Sequence, residues 1–448
     1  MTRARDIAAH VLTRVEKQKA FAAAALESEL ARAVQLDARD RALTTELVYG
    51  SLRVQPWLVA EIARFVPRGM DGLDVAVRAQ LVLGAYQLFF MRVPAFAAVS
   101  EAVSAVRAAR GTRVAAFANA VLRRVAERAE TMGEAEREEA VFESAPGWMR
   151  AALERALSPE GARALLRSGA EVPPVAIRVE HAAERTAWIE RLSAATPPAR
   201  FEAGRISPMA ILGRGAGKPQ RLPGWSEGAW SVQEEGAQLA AMAVGARDGN
   251  TVLDACAGRG NKTAVLARAV GLSGAVDACD SSPAKLERLG GELARLGLRA
   301  RATFAVDWTV GSGEVAGEYD CVLVDAPCTG VGTLRRRPEI ALRRETADLE
   351  ALTRTQVAIA TRAAAHVRPG GSLVYVVCSV LREEGEDVVD ALVRARPDLL
   401  PAPFDVPEVR AVAGDAPLFR LLPHVHGTDG YFVARLVRAG GQSPLSGF

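Results

Sequence analysis

The sequence predicts a multidomain protein: an all-α N-terminal domain (residues 1–130), a small α+β linker domain (145–225) and a C-terminal α/β domain of the Rossmann-like, doubly wound type (226–448). Three observations predict it. A chain of 448 residues is long enough for about three domains. Apolar residues make up 49% and charged residues 24%, so large cores can form and wholesale disorder is excluded. The hydrophobic pattern also changes along the chain. Helical stripes at the start give way to near-continuous apolar runs that alternate with helical stretches in the second half.

In the first domain, Val114, Phe117, Ala118, Val121, Leu122 and Val125 fall on one apolar stripe of a helix, with Arg123, Arg124 and Arg128 on the other face. Residues 41–50 read as a helix ending on Gly50 as a C-cap, and 66–73, with Pro67, Gly69 and Gly72, as a loop. The middle segment shows a helix near 148–157, a strand over 175–179 after Pro173-Pro174, and a helix over 184–194. A loop-rich end follows, with Gly204, Gly213, Gly215 and Gly217. From residue 230, strands are expected over 251–256, 275–280, 302–306, 321–325, 372–378 and 431–437. Helices fall over 262–270, 283–296, 346–366 and 383–394. Such an alternation builds a mostly parallel sheet, which binds ligands at the carboxyl ends of its strands.

The net charge is +3, yet residues 1–128 alone hold 19 Lys and Arg against 12 Asp and Glu. That surplus suits an anionic partner such as nucleic acid, met through its phosphates; a solvated Arg-rich helical surface would give the same count. No run of about 18 apolar residues suggests a spanning helix. The start, Met1-Thr2-Arg3-Ala4-Arg5-Asp6, leads into no apolar segment of the secretory kind. Five cysteines (Cys256, Cys279, Cys321, Cys328, Cys378) show no C-x-x-C spacing, and an odd number argues against a disulfide framework. The expectation is a cytoplasmic monomer with reduced thiols, no metal and no membrane partner.

The first strand of the second half runs into Asp254-Ala255-Cys256-Ala257-Gly258-Arg259-Gly260-Asn261-Lys262-Thr263, which opens a helix. Glycines at a strand-to-helix turn let a ligand approach the backbone and meet unpaired helix N–H groups. A phosphate loop needs Gly where Asn261 stands, and a dinucleotide fingerprint needs Gly where Thr263 stands. An acid at Asp254 is awkward beside pyrophosphate and suits a cationic ligand such as S-adenosylmethionine; a purely structural turn is the plain alternative. Asp280 ends the second strand, where a carboxylate can accept ribose hydroxyls, and Asp307 ends the third, placed for an adenine edge. Either alone could be a helix N-cap.

Two cysteines sit in turns after later strands: Cys328 in Asp325-Ala326-Pro327-Cys328-Thr329-Gly330, and Cys378 in Val377-Cys378-Ser379-Val380. Cys279 and Cys321 lie inside apolar strands and read as core. In these motifs the chain resembles the Sun/Fmu-type (RsmB-like) ribosomal RNA cytosine-5 methyltransferases, relatives of the Nop2/NSUN enzymes. Asp325-Ala326-Pro327-Cys328, with the following Arg335-Arg336-Arg337-Pro338-Glu339-Ile340, resembles the family's fourth motif. Val377-Cys378-Ser379-Val380 resembles its sixth, and Asp429-Gly430-Tyr431-Phe432 its last strand. Residues 1–128 resemble the NusB-type RNA-binding domain carried in front. The family usually has a proline and two adjacent glycines where this chain has Arg259, Gly260 and Asn261, and Pro-Glu-Glu-Asn where it has Arg382-Glu383-Glu384-Gly385.

The resemblance implies methylation of cytosine C5 in small-subunit (16S) ribosomal RNA by a class I methyltransferase domain. It implies S-adenosylmethionine held by Cys256, Ala257, Gly258, Arg259, Gly260, Asn261, Lys262, Asp280, Asp307 and Asp325. Cys378 would be the nucleophile, Cys328 the helper base, and Asp325 the partner of N3 and the exocyclic amine. From the residues alone the two cysteines could exchange roles. A thiolate needs a positive neighbour, for which Arg335, Arg336 and Arg337 are candidates unless they hold RNA phosphate. The target must be a loop or a flipped base. The competing readings are transfer RNA as substrate, a non-catalytic RNA-binding assembly factor on a methyltransferase fold, and a dinucleotide-dependent oxidoreductase.

Overall fold

The structure is a computed structural model that describes residues 4–440. The first three residues, where the expected N-terminal start lies, and the last eight of the expected C-terminal domain fall outside that range. The chain forms two compact units. One holds the residues up to 172 together with 334–344, the other residues 173–333 and the chain from 345 onward.

The first unit is all helix, as the stripes predict. Its helices are Ala4–Lys17, Ala22–Arg32, Ala38–Arg53, Gln55–Ala63, Val75–Phe90, Ala95–Glu130, Glu134–Glu143, Gly147–Leu157, Pro159–Ser168 and Glu339–Arg343. Starts are capped where a short acid precedes them: Asp37 accepts from the Asp40 N–H and Asp74 from the Ala76 N–H. Leu47, Leu58, Leu81, Leu122 and Val125 are fully buried in a common core, and Trp57 meets Phe89 edge-on at 4.9 Å. The expected stripe is that core face, and Arg123 and Arg124 stand exposed opposite it. At Gly111, φ is +81°, a value that breaks the long segment 95–130 into two helices and favours glycine.

Two expectations for this unit are corrected. Gly50 does not end a helix. The helix runs on to Arg53, and Gly50 is a point of close approach, because a Cβ there would lie 2.0 Å from the Tyr86 hydroxyl oxygen. The helix at 147–157 does not belong to the middle segment; with 159–168 it packs into the helical unit, its apolar residues Met149, Ala152 and Leu153 buried.

The second unit holds two sheets. A four-stranded antiparallel sheet is built from β1 (Val175–Val179), β2 (Arg200–Ala203), β3 (Ala210–Arg214) and β4 (Trp230–Val232), in the order β2-β3-β1-β4. Only β1 was legible; β2 to β4 are short and flanked by glycines that read as loop. The larger sheet contains β5 (Thr251–Asp254), β6 (Ala275–Asp280), β7 (Ala302–Ala305), β8 (Tyr319–Asp325), β9 (Val367–Val377), β10 (Leu399–Pro401), β11 (Leu418–Leu421) and β12 (Tyr431–Arg438). Its order is β10-β12-β9-β8-β5-β6-β7, with β11 on β12. Strands β5 to β9 run parallel and β12 is antiparallel to β9. All six expected strands are present; β10 and β11 are additional. The strand order reverses at β5, which lies between β6 and β8, so the crevice for a ligand opens beyond the carboxyl ends of β5 and β8. Among the described residues no helix is long and apolar enough to cross a membrane.

Candidate active site

The loop after β5 is shaped by its glycines. Gly258 and Gly260 have φ of +58° and +87°, the left-handed region that other residues avoid. A Cβ on Gly260 would lie 2.8 Å from Leu289, whereas one on Gly258 would project into open space. The loop is stitched to β6: the Ala257 N–H donates to the Cys279 carbonyl (2.7 Å) and the Gly258 N–H to Asp280 Oδ2 (3.1 Å). Helix Asn261–Val270 follows directly.

The three acids divide into different roles. Asp254 is fully buried, and its carboxylate accepts from Thr263 Oγ1 at 2.7 Å. It therefore ties the loop helix to the strand that precedes it. Burial pushes its carboxyl up to about 7, against the pull of the Thr263 hydrogen bond. Asp280 ends β6 as expected, with its carboxylate engaged by the N–H groups of Gly258 and Ser282 and by Lys285. Asp307 is exposed beyond β7. Hydrogen bonds from the Thr309 hydroxyl and N–H hold its carboxyl below the usual range, so this acid also makes a local turn.

The two turns after β8 and β9 meet. Cys328 Sγ and Cys378 Sγ lie 3.2 Å apart, so the same carboxyl edge carries both thiols. Hydrogen bonding to Cys378, then burial, then the charges of Cys378 and Glu384 push the Cys328 thiol well above its ordinary value. Beside the pair, Lys262 Nζ contacts Asp325 Oδ2 at 2.6 Å and lies 5.8 Å from the Tyr431 ring centroid. Burial pulls the Lys262 ammonium down, but the charges of Asp325, Cys378 and Asp254 more than offset it, and it stays above the usual lysine range. Around them, Gly332 N–H donates to the Cys378 carbonyl (3.1 Å) and Gly430 N–H to the Gly332 carbonyl (2.8 Å).

Arg335, Arg336 and Arg337 lie in the segment that packs into the helical unit, where Arg335 is buried, Arg336 half-buried and Arg337 exposed; Arg53 donates to the Arg335 carbonyl at 3.0 Å. Within the α/β unit the charge of Lys262 is coupled to Cys378, a feature absent from the sequence reading, which assigns Lys262 only to cofactor binding. Two further features were missed. Arg178 of β1 is buried and donates to the Asn261 carbonyl (3.0 Å), Gln233 and Glu180, so the small sheet braces the start of the loop helix. Glu384 is fully buried beneath the Cys328 turn. An arginine in an apolar strand was the available signal for the first; nothing local signals the second.

Comparison with known proteins bears on the same two regions. Residues 241–437 match the family described as 16S rRNA methyltransferase RsmB/F, and residues 2–127 match the NusB family. Ribosomal RNA small subunit methyltransferase B of Pseudomonas syringae pv. tomato is 32% identical over 97% of this chain and 97% of its own. The solved structure of PH0851 superposes with a TM-score of 0.81 at 23% identity, over 97% of this chain and 98% of that one. NSun6 from Pyrococcus horikoshii with SFG gives a TM-score of 0.57 at 18% identity, over 67% and 100%. The two structures share the fold. With these matches, the fold and the glycine loop at the switch point define an S-adenosylmethionine-dependent RNA methyltransferase. More particularly, the chain belongs to the RsmB/F family of 16S rRNA methyltransferases, with a NusB-type domain in front. The loop fits its cofactor: the open space above Gly258 is where a side chain would otherwise intrude.

Proposed function

We propose that this protein methylates C5 of a cytosine in small-subunit ribosomal RNA through a covalent adduct with Cys378. The approach of Cys328 and Cys378 to 3.2 Å, beside the Lys262–Asp325 pair, is the observation that carries this reading. C5 of cytosine is too weak a nucleophile unaided. The Cys378 thiolate adds to C6, and the displaced electron pair gathers on C5. The Lys262 ammonium stabilises that thiolate, and Asp325 meets N3 and the exocyclic amine as charge builds on the ring. Bound S-adenosylmethionine supplies an electrophilic methyl group. Residues Cys256, Ala257, Gly258, Arg259, Gly260, Asn261 and Lys262 would hold it, with Asp280, Asp307 and Asp325. C5 then carries a methyl and a proton. Cys328, once its own proton has passed to solvent, takes the C5 proton as base, directly or through water, and the C6–S bond breaks with its pair returning to Cys378.

The NusB-type unit supports ribosomal rather than transfer RNA, its exposed arginines meeting phosphates while the α/β unit receives a loop or flipped base. Bisulfite sequencing of ribosomal and transfer RNA, from cells with and without the gene, tests the target. One 16S cytosine that loses its methyl group supports the reading, and loss confined to transfer RNA refutes it. An RNA adduct that survives Cys378→Ala refutes the assignment of the nucleophile.

A further inference from the structure

Cys328 is held by a carboxylate that comes from the other cysteine's strand end. Glu384 lies six positions after Cys378 and is fully buried. Its Oε1 accepts from the Thr329 N–H (2.7 Å) and from Gln356 Nε2 (2.9 Å), and its Oε2 from the Thr329 hydroxyl (2.5 Å). Gln356 Nε2 also donates to the Pro327 carbonyl (2.9 Å), so the residues on both sides of Cys328 are fixed by one buried pair. The Glu384 carbonyl accepts from the buried Tyr375 hydroxyl (2.8 Å), which ties the same residue to β9. Three donors on a carboxylate with no exposure make a rigid clamp, because leaving any one of them unmet inside the protein is costly.

We propose that Glu384 is a positioning residue: it clamps the Pro327-Cys328-Thr329 turn against the Cys378 turn and so sets where the Cys328 sulfur stands when the C5 proton must leave. The proposal rests on the cysteine-adduct reading above. Its consequence is specific to one half of the reaction. Attack by Cys378 does not need the Cys328 turn to be held, whereas release of the methylated base does. Loosening the clamp therefore slows release more than attack, and adduct accumulates.

The test uses the full chain, with S-adenosylmethionine and 16S RNA from cells lacking the gene, and scores the fraction of protein carrying RNA after denaturation alongside methyl transfer. Glu384→Gln keeps the size but offers one acceptor oxygen where two are used. The expected result is turnover lowered about 10- to 100-fold with RNA-linked protein accumulating, as is also expected for Cys328→Ala, while cofactor affinity stays within about twofold. Thr329→Val removes a single hydroxyl donor and should give a milder accumulation; it carries the test if Glu384→Gln does not fold. Should Cys328→Ala trap RNA while Glu384→Gln and Thr329→Val turn over like the unmodified protein, the clamp is refuted and the adduct chemistry stands. A loss of attack and release together in these variants, with cofactor binding intact, also refutes it. If no variant ever carries RNA although methyl groups are transferred, the cysteine-adduct reading itself falls.

Discussion

At Asp254 a carboxyl group is shut away from water against the Thr263 hydroxyl, and burial lifts its pKa to about 7. In the unfolded chain the same group titrates near 4. Between those values the folded state holds a proton that the unfolded state has lost, so this residue makes stability fall as pH rises from about 4 to about 7. Denaturant melts of Asp254→Asn against the parent should show a smaller loss of stability across that window. An unchanged slope would remove Asp254 from the account. Lys262 keeps its positive charge, because the charges of Asp325, Cys378 and Asp254 hold its ammonium above the usual lysine range in spite of burial. In Lys262→Met, kcat should fall by about 100-fold or more, and the rise of rate with pH should move to higher pH. Stopped assays across pH 6–9 would measure both.

At the scale of elements, the two cysteine turns keep their register through backbone contacts that tolerate no side chain. A Cβ on Gly332 would lie 2.0 Å from the Gly430 carbonyl oxygen, a backbone atom that cannot swing aside. Gly332→Ala should part the turn after β8 from the start of β12 and abolish methyl transfer, while calorimetry still registers cofactor binding at the loop after β5. The helical unit offers a gentler case. Gly50→Ala would press on Tyr86, whose hydroxyl meets Glu46 at 2.5 Å, and should cost about 1–3 kcal/mol in thermal melts. The secondary structure around these points was largely legible, because stripes of period 3.6 and unbroken apolar runs are local signals. Strands β2, β3, β4, β10 and β11, of three to five residues each, are too short to leave one.

Over the whole molecule, charge is sorted by unit, and exposed arginines such as Arg123 and Arg124 belong to the helical one. Replacing both with glutamate should weaken RNA binding and lower the slope of log affinity against log salt by about 1.5 to 2, without altering cofactor affinity. Filter binding at several salt concentrations would measure it; an unchanged slope would show that this face does not meet phosphate. What the sequence determined unaided was the pair of fold types, the glycine loop and both cysteine turns, since each is written in neighbouring residues. What only the tertiary structure decided is which groups surround those sulfurs. Lys262 arrives from the β5 loop and Glu384 from beyond β9. A local pattern records what a segment becomes, but the field at a half-buried sulfur is summed over segments that meet only when the chain has packed.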